Sequence, residues 1–134
     1  MVEYEPDSKR VLNLDNIKKW HEGPWMHKHN GVYYFLCGGG GHIRYWTSDE
    51  LFGDYTYRGS VIESSPPDFP MVKTAHGSTI EVNGQWYLAY HYEVDGPYKR
   101  TTCIDSLYHN EDETIKLVVP TKKGISPVNI PKGN

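Results

Sequence analysis

Apolar and polar residues alternate along much of this chain, and that alternation, rather than a helical period, sets the first expectation. The stretches "HIRYWTS" (42–48) and "DYTYRGSVI" (54–62) carry large apolar side chains at roughly every second position, as half-buried strands do. Two denser aromatic runs, "VYYFLC" (32–37) and "QWYLAY" (85–90), each follow an Asn-Gly pair, at 30–31 and 83–84. Asn-Gly tolerates positive φ at both central positions of a type I′ turn, so each pair predicts a tight hairpin. The nearest approach to a helical period, Leu12 to Trp20 with Leu12, Ile17 and Trp20, is short and broken by "LDN". The chain reads as all-β.

The two hairpins are copies of one pattern. Aligning "HKHNGVYYFLC" (27–37) with "IEVNGQWYLAY" (80–90) superposes the turns, sets Tyr33-Tyr34 on Trp86-Tyr87 and sets Phe35 on Leu88. After the first hairpin come the glycine run 38–41, read as a flexible connection, and the strands 42–48 and 54–62. After the second come the loop "EVDGPY", "KRTTCIDSLY" (99–108), a turn at "HNEDE" and "TIKLVVP" (114–120). Two successive units of four antiparallel strands match the arithmetic of propeller blades; a generic β-sandwich of eight short strands fits the spacing as well. The predicted organisation is an arm at 1–20, a first blade at 21–73, a second at 74–125 and a tail at 126–134, all one domain. Propellers close with roughly four to eight blades, so a pair leaves apolar faces open, and copies are expected to associate as a homo-oligomer.

Composition narrows the partners. With 134 residues and a net charge of −3, the chain has no electrostatic signature for nucleic acid or an anionic membrane, which favours small or neutral ligands. Eleven Tyr, four Trp, thirteen Gly and nine Pro suit short strands joined by tight turns. Cys37 and Cys103 sit in apolar runs and read as buried free thiols. The start "VEYEPDSKR" lacks the basic and apolar regions of a secretory signal, and no apolar run reaches membrane-spanning length. A soluble, cytoplasmic chain is the default expectation.

Four positions could carry chemistry. Glu22 precedes a Gly-Pro step at the head of a strand, with Trp25 beside it. A carboxyl group in a partly apolar setting holds its proton more readily, as a general acid must; the alternative is a turn glutamate capping backbone amides. His76, in "KTAHGSTI", holds the equivalent place in the second unit and would point to the same end of a propeller, as a substrate contact or as a ligand, direct or through water, for a cation on the axis. His91 ends "YLAYHY" and Arg100 opens the next strand, so they fall near one another across a hairpin end. A guanidinium there offers directed donors to sugar hydroxyls, or pairs with Glu93 or Asp95 at the surface. His27 and His29 share a strand face but have no third ligand at a telling spacing; they read as solvent-facing rather than metal-binding.

At this point the residues resemble a family. "EGPWMHKHNGVYYFLCGGGG" is similar to the general-acid motif of glycoside hydrolase family 43, where Glu-Gly-Pro or Glu-Ala-Pro precedes a strand, an Asn-Gly turn and a Tyr-Tyr strand. The likeness continues through "YWTSDELFGDYTYRGSVI" and from "TAHGSTIEVNGQWYLAYHYEVDGPY" to "KKGI", covering nearly all of residues 12–125. Two turns depart from the pattern: "DELFGDYTY" has Gly-Asp in place of Gly-Pro, and "NEDETI" lacks Asp-Gly. The resemblance implies a five-bladed β-propeller and an inverting enzyme that removes arabinofuranose or xylose from plant polysaccharides. It makes Glu22 the general acid, His76 an axial histidine associated with calcium or water, and Arg100 a substrate contact, with Trp25 and His91 walling the sugar pocket. No cofactor is required, and calcium is an optional ion.

An inverting glycosidase also needs a second carboxylate, roughly 6.5–9.5 Å from the acid, to activate water on the opposite face of the sugar. In the family that aspartate comes from the first blade and a further aspartate that tunes the acid from a middle blade, and Asp15, Asp54, Asp68, Asp95 and Asp105 match neither motif. The expectation is a truncated hydrolase that keeps the acid, lacks the base and is inactive alone. The alternative is a non-catalytic or vestigial sugar-binding module.

Overall fold

The computed structural model describes residues 10–17, 22–39, 41–63, 76–93 and 99–129, among which run eight strands and no helix. They are β1 (Asn13–Leu14), β2 (Glu22–His29), β3 (Val32–Gly39), β4 (His42–Ser48), β5 (Asp54–Ile62), β6 (Gly77–Val82), β7 (Gln85–Glu93) and β8 (Arg100–Leu107). Strands β2 to β5 form an antiparallel meander, with β1 added in parallel to β5; β6, β7 and β8 form a second meander. Both Asn-Gly pairs turn as expected, with φ of 47° and 91° at Asn30 and Gly31 and of 54° and 81° at Asn83 and Gly84.

The strand period sorts β3 into two faces. Tyr34 and Leu36 point into a core shared with Ile43, Tyr45, Val61, Ile62, Leu88, Tyr90 and Leu107, and so join the two sheets. Cys37 points the other way with Trp46 and Tyr55, under Leu12 and Leu14 of the N-terminal arm. The first sheet is therefore covered on both faces, which accounts for its density of aromatics. Each fully buried Leu or Ile in this core contributes about 1.5–3 kcal/mol. Asp15 fastens the arm: its N–H donates to the Tyr55 carbonyl at 3.0 Å, its carbonyl accepts from Trp46 Nε1 at 2.8 Å, and its carboxylate accepts from the Tyr57 N–H at 2.5 Å.

Several local expectations change. Residues 114–120 do not form a strand, because their backbone donors serve different partners: Ile115 donates to the Tyr45 hydroxyl, Lys116 to the Tyr108 carbonyl and Val118 to the Val61 carbonyl. The segment is a strap tied to both sheets. Gly38 and Gly39 continue β3 rather than forming a connection, paired with Ile43 and His42. Cys103 is only half-buried, while Cys37 is buried, and both are free thiols. His27 does not face solvent. It is 8% exposed, because the Trp25–His27–His29 face of β2 turns towards the second sheet, where Thr79 and His109 meet its ring nitrogens.

A Cβ added at Gly31 would meet nothing within 4 Å, so Gly31→Ala isolates the cost of a left-handed backbone. We expect a loss of roughly 1–2 kcal/mol in urea unfolding with unchanged native spectra.

Candidate active site

Glu22 opens β2 opposite Gly38, and the register slips between Glu22 and Trp25, so the Gly23-Pro24 step forms a bulge that re-aims the side chain. Its Oε1 lies 3.2 Å from Nε2 of His76, the residue just before β6. Both atoms are shielded from solvent and do not meet hydrogen-bond geometry with one another. The pair is thus a close polar contact without alignment, which leaves lone pairs and donors for a third group. Gly23 permits it: a Cβ there would come within 2.8 Å of the His76 ring.

His91, on β7, stands across from His76 with ring centroids 5.6 Å apart and planes nearly perpendicular. Between these elements lies an open pocket of about 320 Å³ lined by Gly23, Pro24, His76, Ser78, His91 and Thr102 among others. Glu22, His76 and His91, three residues far apart in sequence, are therefore gathered at one end of the inner strands. Thr102 joins because it pairs with His91 across β7 and β8. Sequence reasoning missed it, since only the strand register reveals that neighbour.

The other two expected site residues lie differently. Trp25 is 41% exposed, but its indole N–H is directed at Thr79, donating to Oγ1 at 3.0 Å. Arg100 is exposed at the start of β8, opposite Glu93 and two pairs beyond Thr102, outside the residues lining the pocket.

Calcium takes roughly six to eight oxygen ligands. Glu22 and His76 offer one carboxylate and one imidazole, and among the described residues no group of three His, Cys, Asp or Glu side chains is arranged to hold a metal ion. The residues present do not by themselves fit such an ion, and nothing below is routed through one.

The family model for glycosyl hydrolases family 43 matches residues 4–115. The chain belongs to this family. A beta-xylosidase of Xylanibacter ruminicola is 36% identical over 118 residues, 84% of this chain and 35% of the relative. A xylosidase/arabinosidase of Bacteroides ovatus is 35% identical over 94 residues, 68% of this chain and 27% of the relative. Among solved structures, a family 43 beta-xylosidase/alpha-arabinofuranosidase from a compost microbial metagenome, in complex with xylotriose and in a calcium-free form, gives a TM-score of 0.70 at 31% identity, covering 82% of this chain and 37% of its own. A family 43 enzyme from Xanthomonas citri gives 0.70 at 30% identity over 89% of this chain and 39% of its own. The chain spans about a third of the length of the curated relatives it matches. With these neighbours, the two sheets of this family 43 chain are blades of a partial β-propeller.

Gly23 combines a φ of +62° with the near contact to His76. Gly23→Ala is expected to cost more in unfolding free energy than Gly31→Ala, which carries the backbone cost alone. Equal costs would show that the His76 ring yields freely and does not hold Glu22.

Proposed function

We propose that this chain carries the acid half of an inverting glycosidase site for arabinofuranosyl or xylosyl linkages of plant polysaccharides. Glu22 is the general acid, protonating the departing glycosidic oxygen. His76 orients its carboxyl group, and His91 borders the sugar. Arg100, two pairs beyond Thr102 at the β8 end, reaches hydroxyls further along the saccharide, and Trp25 contributes an aromatic wall at the inner edge. The observation that carries this reading is the 3.2 Å approach of Glu22 to His76 at the lip of the pocket. It is supported by relatives named as xylosidases and arabinosidases.

The base is the missing half. Three of the candidate aspartates already serve the fold: Asp15 holds the arm, Asp54 accepts from Asn13 at 2.8 Å, and Asp105 accepts from Tyr90 and Thr121. Asp68 and Asp95 lie outside the described residues. In our reading the chain alone therefore does not activate water. The second reading, a sugar-binding module, draws on the same pocket and needs no base.

Azide distinguishes the two, because it attacks the anomeric carbon without a base while the acid still protonates the leaving oxygen. With phenyl arabinofuranoside or phenyl xyloside, the chain is expected to release phenol only when azide is present. Glu22→Gln should lower that release by roughly 10²- to 10⁴-fold, the usual contribution of general acid catalysis. Release that survives the substitution overturns the role of Glu22. Hydrolysis without azide overturns the missing base, and no release under any condition leaves the binding module.

The expected association belongs to the same proposal. Thr79 points to the first sheet, so its neighbour Ile80 points outward, and Ile80 and Ile104 are exposed on that outer face. A second copy covering this face should give a dimer or larger species by light scattering at micromolar concentration. A monomer there would remove this part of the reading.

A further inference from the structure

The inner edges of the two sheets are joined by a chain of polar contacts apart from the pocket. Trp25 Nε1 donates to Thr79 Oγ1 at 3.0 Å, Thr79 Oγ1 lies 2.9 Å from His27 Nδ1, and His27 Nε2 lies 3.0 Å from His109 Nε2. Around it, His27 stacks on Tyr34 with centroids 4.7 Å apart, and His29 stacks on His109 at 4.0 Å. His109 comes from the segment after β8, with Trp86 of β7 packed against both His27 and His109.

The direction of the protons follows from donor counts. An indole nitrogen only donates, so Thr79 accepts from Trp25. The Thr79 hydroxyl has one proton of its own and is buried, where an unmatched donor is costly. Among these contacts its one acceptor is His27 Nδ1. His27 then carries its proton on Nε2 and gives it to His109, whose own proton sits on Nδ1. The chain reads Trp25 to Thr79 to His27 to His109, and it is complete only with both imidazoles neutral.

We propose that this chain is an acid-sensitive fastening between the two sheets, which holds Trp25 against Thr79 at neutral pH and lets go when His27 is protonated. A proton on Nδ1 of His27 would remove the acceptor of Thr79 and set two donors face to face. The groups facing His27 are His29 from its own strand, Tyr34 from β3, uncharged Thr79 and Trp86 from β6 and β7, and His109. His109 faces His27, His29, Tyr34 and Trp86. Glu113 follows beyond Tyr34, taking that hydroxyl on its backbone carbonyl. Every nearby group that can gain charge in mild acid is thus another histidine.

Burial, then the charges of His109 and His29, hold the His27 imidazole down to about 3; burial and His29 hold His109 down to about 4. Both lie below the ordinary histidine value of 6.5. Between these values the unfolded chain binds more protons than the folded one, so stability is full above about pH 6.5 and falls as the pH drops below it.

The test has three readouts on the 134-residue chain. Nitrogen-15 spectra at pH 7.5 should show an unprotonated Nδ1 on His27 and an unprotonated Nε2 on His109; a protonated Nδ1 on His27 overturns the proposal without any variant. Between pH 7.5 and 5 the folding equilibrium should weaken by roughly thirtyfold for each of the two histidines, and His109→Gln should abolish one such factor. An identical pH dependence in wild type and variant overturns it. The protection factor of the Trp25 indole N–H, its exchange rate relative to a free indole at the same pH, should be lower at pH 5 than at pH 7.5, and the same at both in Thr79→Val. A Trp25 N–H indifferent to acid in the wild type overturns the claim that the fastening holds Trp25.

Discussion

A threonine hydroxyl has one proton to give, and the packing of this molecule turns on where Thr79 gives it. Thr79 and His27 face one another from β6 and β2, the inner strands of the two sheets. Apolar cores tolerate small slips between packed faces; a buried hydroxyl matched to a particular ring nitrogen does not, because a slip leaves both groups unsatisfied. The pair therefore fixes the offset of one inner strand against the other. Glu22 lies at the head of β2 and His76 immediately before β6, so the same offset brings the carboxylate and imidazole together at the pocket. Gly77, next to His76, allows the close approach of the sheets, since a Cβ there would meet Ile43.

How much of this is legible in the sequence depends on the range of each interaction. The hairpins are written in two adjacent residues each, and the spans of β4 and β5 coincide with the alternating stretches 42–48 and 54–62. Glu22 and His76 can be paired from the chain alone, because the repeat gives them equivalent places. His109 cannot, because its meaning depends on His27, 82 positions earlier, and on a strand face that turns inward. With a charged Lys28 between them, His27 and His29 read most naturally as facing solvent. The strap 114–120 misleads for a related reason: "TIKLVVP" has the composition of a strand, but its N–H groups are divided between two sheets and a side-chain hydroxyl.

The strongly shifted groups of this molecule sit in its packed interior. Burial pushes the Tyr34 hydroxyl up to about 12, and burial together with the Asp105 carboxylate raises Tyr90 further. His27 and His109 are held low by the same burial. All four are packed where the sheets meet, Tyr90 also lining the pocket, and each is explained by packing and partners. Strong shifts locate desolvated groups, and only some desolvated groups are catalytic.

Asp105 makes the distinction concrete. It is buried, and it accepts from the Tyr90 hydroxyl at 2.6 Å, the Thr121 hydroxyl at 2.6 Å and the Thr121 N–H at 3.1 Å. Three donors of the fold already occupy most of its roughly four lone-pair sites, so this buried carboxylate is a structural tie rather than a base open to water. Its position explains its use: it ties the segment after the strap to β8 and keeps Ile115 and Val118 seated over the core. Glu22 is the converse case. Its shielded Oε1 faces a histidine that lines the pocket, without a formed hydrogen bond, so one carboxylate has been spent on holding the fold and the other has not.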